Sequence, residues 1–251
     1  GDEAQAVVSV RRYTHAGEPL APGEGSPVDP LLEELPERPR ARLYRAAKRA
    51  LDVAGSLALM LALAPVYAVV ALGVKLSSPG PVFFRQERVG MGGRPFRMIK
   101  FRSMYANAGH GIHQDYVKWF ITASDRQKGA NGQVYKLQGD PRITPVGRFL
   151  RRSSLDELPQ FWNVLTGEMS LVGPRPPLPF EVEQYQPWHR RRVLDAMPGV
   201  TGLWQVKGRS RTTFDEMVRL DLRYARRPSI WNDIKILAAT PRAVVTGKGA
   251  R

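Results

Sequence analysis

The chain has 251 residues, 43% of them apolar, which suits one domain of ordinary core size with additional segments. It contains no cysteine, which excludes disulfide frameworks, thiolate nucleophiles and zinc–cysteine centres and fits a reducing compartment. A formal net charge of +15 points to anionic partners: nucleic acid, lipid headgroups or phosphorylated small molecules.

Residues 1–39 are rich in Pro, Gly, Ala and Glu and lack apolar periodicity, which predicts a flexible N-terminal arm. Its acidic start, with no apolar run behind it, does not resemble a secretory signal. Arg38, Arg40, Arg42, Arg45, Lys48 and Arg49 then form a basic lead-in to the longest uncharged stretch, Val53 to Val74. Those roughly 22 residues would run about 33 Å as a helix, enough to cross a bilayer core. An apolar stretch of this length is rarely needed by a soluble core. It also speaks against a nucleic-acid binder, which the charge alone would allow. Basic residues stand on both sides, with Lys75, Arg85 and Arg88 after the stretch, and Pro65 sits near its middle. Proline removes a helix hydrogen bond and bends the axis. A kinked spanning helix and a helix that enters, bends at Ala64-Pro65 and returns both satisfy these residues.

Ser77 to Pro81 reads as a turn. Val82–Arg85 and Phe96–Phe101 read as strands joined through GMGGR, a hairpin. Asn107–Gly139 is polar and is expected to hold a helix and a loop. Gly147–Val164 reads as helical with an interruption near Ser153, and proline-rich Met169–Pro179 as largely irregular. Thr213 and Glu216 form a capping box for a helix to about Arg226, and Ser229 caps a last helix.

The run Arg151 to Pro179, RRSSLDELPQFWNVLTGEMSLVGPRPPLP, carries the chemistry. Asp156 and Glu157 are adjacent acids at an expected helix start. An isolated pair of this kind is usually two ordinary first-turn acids. Here Arg148, Arg151 and Arg152 lie upstream and Arg175 stands between prolines downstream. Acids among arginines in a basic, membrane-adjacent chain suit a phosphate site with Mg²⁺, or a carboxylate that attacks phosphorus directly. Neighbouring helical residues face different ways, so for both acids to serve one phosphorus a distorted helix start is expected at Asp156-Glu157, aided by Pro159. His110 and His113 lack a third ligand and are a weak metal pair.

These segments resemble the bacterial sugar transferase family, the monotopic phosphoglycosyl transferases. The resemblance extends through KRALDVAGSLALMLALAP, SPGPVFFRQERVG, FRMIKFRSM, GDPRITPVGRFLRRSSLDELPQFWNVL, GEMSLVGPRPPLP, MPGVTGLWQVKGRS and RLDLRYARRPSIWNDIKIL, from about Ala47 to Gly249. It implies an α+β, mostly helical fold: a re-entrant membrane helix (40–76, with its basic amphipathic lead-in, broken at Ala64 and Pro65), then a small cytoplasmic-face catalytic domain (77–251) with a short β-hairpin. It implies transfer of a sugar-1-phosphate from a UDP-sugar to undecaprenyl (polyprenyl) phosphate, starting an exopolysaccharide, capsule or O-antigen repeat unit. By the same resemblance Asp156 is the nucleophile and Glu157 the second acid, with Mg²⁺ held by Glu157 and Asp156. Arg151, Arg152, Pro174, Arg175, Pro176, Asp221 and Tyr224 match substrate-binding positions. Anionic membrane lipids are expected partners, nucleic acid is not, and the expected location is the bacterial inner (cytoplasmic) membrane. Residues 106–138 would either pack against a second subunit, giving a homodimer, shape the sugar pocket, or form a surface excursion. Large family members carry further segments before this core, so the chain is either a small member or part of a large one. A non-catalytic membrane scaffold and a single-displacement transferase are the remaining alternatives.

Overall fold

The computed structural model describes residues 41–106, 140–207 and 212–245. The expected arm 1–39 and the segment 107–139, with His110 and His113, lie outside the described residues.

Two helices open the fold, α1 (Ala41–Ala62) and α2 (Ala64–Ser77), bent by 65° against each other at Leu63. Pro65 stands in the first turn of α2, where its missing N–H costs least; it leaves the carbonyl of Leu61 without the usual helical donor, and the axis turns there. Among the described residues no single helix is long and apolar enough to cross a membrane, but the bent pair passes that test together. Its exposed side chains include Leu57, Leu61, Val69, Leu72 and Leu76.

The hairpin follows as expected. Strands β1 (Phe83–Val89) and β2 (Pro95–Phe101) pair antiparallel, from Phe83 opposite Phe101 to Val89 opposite Pro95. The intervening turn closes with Gly90 N donating to Arg94 O and places Gly92 and Gly93 at positive φ. Helix α3 (Pro145–Ser153) is capped by Thr144, whose hydroxyl accepts from Gly147 N. It ends at Ser154, at φ 59° the one non-glycine residue with positive φ among the described residues. A single 3₁₀ turn, Leu155–Glu157, leads into α4 (Gln160–Thr166), with Pro159 at its N-cap. The expected interruption near Ser153 is therefore a left-handed residue followed by a tight turn.

The stretch expected to be irregular contains a short strand, β3 (Ser170–Val172), which pairs parallel with β4 (Gly199–Thr201). The prolines begin only at Pro174, after the strand, and its partner β4 is remote in sequence. Two short helices, α5 (Pro179–Glu183) and α6 (Pro187–Leu194), lie between these strands, and α7 (Leu203–Lys207) follows β4. Helix α8 (Phe214–Arg226) starts at the expected capping box, with Thr213 N donating to Glu216 and Glu216 N to the Thr213 hydroxyl. Helix α9 (Ile230–Val245) closes the domain.

The main core gathers Phe96 and Met98 of β2, Val164 of α4, Leu171 and Val172 of β3, Tyr224 of α8 and Ile236 of α9. A second cluster joins Val70 and Val74 of α2 to Phe101 and Leu150, so the bent pair shares a core with the hairpin and α3. Each such side chain contributes about 1.5–3 kcal/mol when fully buried. Arginine forks fasten both halves of the pair. Arg49 of α1 donates to the carbonyls of Val164 and Leu165 at the end of α4, both at 2.6 Å. Arg102 donates to Val74 O, Ser78 O and Pro79 O at the end of α2. Cations suit these positions because helix C-termini expose unsatisfied carbonyls.

Strands β3 and β4 meet backbone to backbone at Gly173 and Gly199. A Cβ on Gly173 would strike the carbonyl oxygen of Met197, and one on Gly199 would strike the Gly173 amide. Gly173→Ala is expected to lower stability by about 1–3 kcal/mol, read as a lower midpoint in thermal unfolding.

His189 in α6 is buried. Its Nδ1 accepts from Gln186 N, so the neutral ring carries its proton on Nε2, which faces Asp215 Oδ1 at 3.0 Å. Burial holds the imidazole below its ordinary 6.5, with Asp215 opposing and Arg192 assisting. The unfolded chain therefore binds this proton more readily. The contribution of His189 is complete above about pH 6.5 and is lost as pH falls below it. In unfolding midpoints measured from pH 7.5 to 5, the difference between the wild type and His189→Gln should shrink toward acid.

Candidate active site

Asp156 and Glu157 sit on the 3₁₀ turn between α3 and α4, the distorted helix start expected from their adjacency. Asp156 is buried and Glu157 is partly exposed, so the two acids occupy different environments one residue apart. Glu157 Oε1 takes a 2.8 Å ion pair from Lys100 Nζ of β2. The Tyr67 hydroxyl, two residues beyond Pro65, donates to the carbonyl of Leu158. The bend of the helix pair and the acidic turn are thus joined directly. Asn163 fixes α4 to the hairpin: its side-chain oxygen accepts from Ile99 N at 3.0 Å, and its amide donates to Arg97 O at 2.9 Å and to Glu168.

Arg151 and Arg152 form the last turn of α3, immediately before the acids. Arg151 lies within electrostatic reach of Asp140, whose carboxyl is held below its ordinary range chiefly by hydrogen bonds from Arg142.

The loop after β3 carries Pro174, Arg175 and Pro176, with both prolines buried and Arg175 partly so. Arg88, buried at the end of β1, holds this loop. Its Nη1 donates to Pro176 O at 3.0 Å and its Nη2 to Gln86. Burial, aided by the like charge of Arg175, pushes its guanidinium down to about 9, while Glu181 and Glu157 pull it back up. Arg88, Arg175, Glu157 and Glu181 therefore share one electrostatic neighbourhood.

Asp221 and Tyr224 are buried in the core that backs this loop. Asp221 Oδ2 meets Arg192 Nη2 at 2.7 Å, both side chains being 2% exposed or less. The Tyr224 hydroxyl has a single proton to give, shared between Asp233 Oδ1 at 2.8 Å and Val172 O at 3.0 Å. Burial and the Asp233 carboxylate hold that phenol protonated, as a donor must be. Neither side chain faces solvent: Asp221 meets Arg192, and Tyr224 meets β3 and α9.

A second buried network secures β3 to α1. Lys48 bridges Asp52 at 2.9 Å and Asp233 at 3.3 Å, and Asp52 Oδ1 also accepts from Leu171 N and the Ser170 hydroxyl. Lys48, Asp52, Arg88, Lys100, Arg192 and Asp233 were not singled out from sequence as site residues. The one local signal was a lone aspartate, Asp52, beside the apolar stretch.

The donor set can be set against Mg²⁺. Among the described residues there is no cluster of three acidic or histidine ligands. Mg²⁺ commonly takes one or two carboxylates and completes its shell with substrate phosphates and water, so two acids on one turn fit it.

Sequence comparisons place the chain among known proteins. The bacterial sugar transferase family matches residues 43–247. The chain is 44% identical over 206 residues to the galactosyl transferase CpsE of Streptococcus agalactiae, covering 82% of this chain and 43% of that one. It is 44% identical over 223 residues to the UDP-glucose:undecaprenyl-phosphate glucose-1-phosphate transferase of Escherichia coli, covering 86% and 43%. Against the exopolysaccharide production protein ExoY of Sinorhizobium fredii it is 38% identical over 204 residues, covering 81% and 88%. The chain thus spans less than half of the first two relatives and most of the third. By the family match and by these identities, the chain belongs to the bacterial sugar transferase family.

Proposed function

We propose that this chain transfers a sugar-1-phosphate from a UDP-sugar to undecaprenyl or another polyprenyl phosphate, the first step in building an exopolysaccharide, capsule or O-antigen repeat unit. The observation that carries the reading is the Asp156-Glu157 turn, with Glu157 paired to Lys100 of β2 and within electrostatic reach of Arg88, in a chain whose relatives bear the names of such transferases.

The reaction runs in two displacements. A carboxylate oxygen of Asp156 attacks the β-phosphorus of the UDP-sugar. The bond from that phosphorus to the bridging oxygen breaks, UMP departs, and an aspartyl phosphosugar remains. A phosphate oxygen of the lipid then attacks the same phosphorus and expels Asp156, giving the polyprenyl diphosphate sugar. Burial on a rigid turn orients Asp156 and strips water from it. Like charges oppose an aspartate approaching a diphosphate. Arg175, with Arg151 and Arg152 beside the turn, offsets this repulsion, since arginine forks match phosphate oxygens. Asp156 and Glu157 would hold Mg²⁺, which when bound supplies further positive charge beside the phosphates.

The bent pair α1–α2 is read as a re-entrant anchor on the cytoplasmic face of the bacterial inner membrane. Its exposed leucines and valines would enter the lipid, and its basic flanks would meet anionic headgroups, at about 1 kcal/mol per Lys or Arg. Tyr67 then holds the acidic turn at the surface where a soluble and a lipid substrate can meet.

The test is UMP release by purified, detergent-solubilised protein given Mg²⁺, undecaprenyl phosphate and a panel of UDP-sugars. Lipid-dependent release from one sugar is expected and names the donor. Folded protein that releases no UMP from any sugar overturns the reading in favour of a scaffold.

A further inference from the structure

The loop Pro174–Pro177 is poorly equipped to hold its own shape. Three of its four residues are prolines and carry no N–H. Its carbonyls are instead held from outside, one after another. Gly199 N donates to Pro174 O at 2.8 Å, Arg192 Nη2 to Arg175 O at 3.2 Å, Arg88 Nη1 to Pro176 O at 3.0 Å, and Val89 N to Pro177 O at 2.9 Å. Two of these donors are backbone amides at the ends of paired strands. The other two are buried arginines, an expensive choice unless their charge is balanced. Arg192 is balanced by Asp221 and also donates to the Tyr185 hydroxyl at 3.3 Å. Arg88 has Glu181 within electrostatic reach. The carbonyl that Arg192 holds belongs to Arg175 itself, the loop residue with a cationic side chain.

We infer that the Arg192–Asp221 ion pair is a positioning device: it fixes the backbone of Arg175 so that its guanidinium is set in advance for the diphosphate of the nucleotide donor. The inference rests on the function proposed above and deepens it. Asp221 orients Arg192, Arg192 orients the Arg175 carbonyl, and Arg175 meets the phosphates. Neither member of the pair touches substrate. A misplacement of about 1 Å at a phosphate-binding group costs up to about 100-fold, so a loosened loop should weaken nucleotide binding well before it unfolds the domain.

A structural role and a positioning role are separated by replacing the pair as a whole. Arg192→Met with Asp221→Leu substitutes apolar side chains for both charges, an exchange buried pairs often tolerate. The same protein loses the donor to Arg175 O. Arg192→Lys is the second variant: it keeps a charge beside Asp221 but cannot reach the Arg175 carbonyl and the Tyr185 hydroxyl with one fork. Arg190→Met, on the exposed face of the same helix, controls for charge. Each is measured by titration calorimetry with UDP, by KM and kcat for the donor identified in the UMP assay, and by thermal unfolding. The expected result is a UDP affinity lower by about 10- to 100-fold and a KM raised to match. Arg190→Met should keep the wild-type affinity, and the folded variants should keep cooperative unfolding. Wild-type UDP affinity in either folded variant overturns the inference. Wild-type protein that binds UDP but releases no UMP counts against the proposed reaction alone, and the binding arm still decides the positioning role. Wild-type protein that does not bind UDP overturns both.

Discussion

Asp156→Asn is expected to lower lipid-dependent UMP release by about 1,000-fold or more, the scale seen when a covalent nucleophile is removed. Asparagine keeps the shape of the side chain on the 3₁₀ turn, so the domain should remain folded. Its neutral amide oxygen is a far weaker nucleophile toward phosphorus than a carboxylate. Wild-type protein given UDP-sugar without lipid should gain the mass of one sugar phosphate on the peptide containing Asp156, and the variant should gain none. A variant that releases UMP at the wild-type rate would place the nucleophile elsewhere and leave the overall transfer intact.

Lys48→Met is expected to destabilise the domain by about 3–5 kcal/mol, because it leaves two buried carboxylates, Asp52 and Asp233, without their shared cation. The effect should depend on pH with a definite sign. Burial already holds Asp233 above the ordinary carboxylate range while Lys48 pulls it down, so removing Lys48 raises it further. A carboxyl with a folded pKa above its unfolded value contributes stability that is complete below the unfolded pKa. That contribution is lost as pH rises through the folded pKa. The deficit of Lys48→Met should therefore be smallest near pH 4 and grow toward neutrality, in unfolding midpoints measured beside the wild type. A deficit independent of pH would mean that Lys48 acts through packing of its methylenes instead.

Features that depend on a few neighbouring residues were readable from the chain. Thr213 and Glu216 announced the start of α8, because a capping box is closed within one turn. The glycine-rich link between two apolar runs announced the β1–β2 hairpin, because its partners are adjacent in sequence. Pro65 announced the break between α1 and α2, since a missing N–H acts on its own turn. The adjacency of Asp156 and Glu157 announced a distorted helix start, now seen as a 3₁₀ turn after left-handed Ser154. The three-residue β3 escaped notice because its partner β4 is remote and joins it in parallel.

The chain alone also carried the family's motifs, and with them the acids and the proline loop as candidates. Which groups those candidates meet was decided only by packing. Lys100 and Glu157 are 57 residues apart, Arg88 and Pro176 are 88 apart, and Asp52 and Leu171 are 119 apart. No periodicity or cap relates positions at such distances. A buried charge takes as partner whatever the folded core brings to it, and it is tolerated only because that partner arrives. For the same reason the resemblance could name Asp221 and Tyr224 but not their partners: packing alone set Asp221 against Arg192 and Tyr224 against Val172 and Asp233.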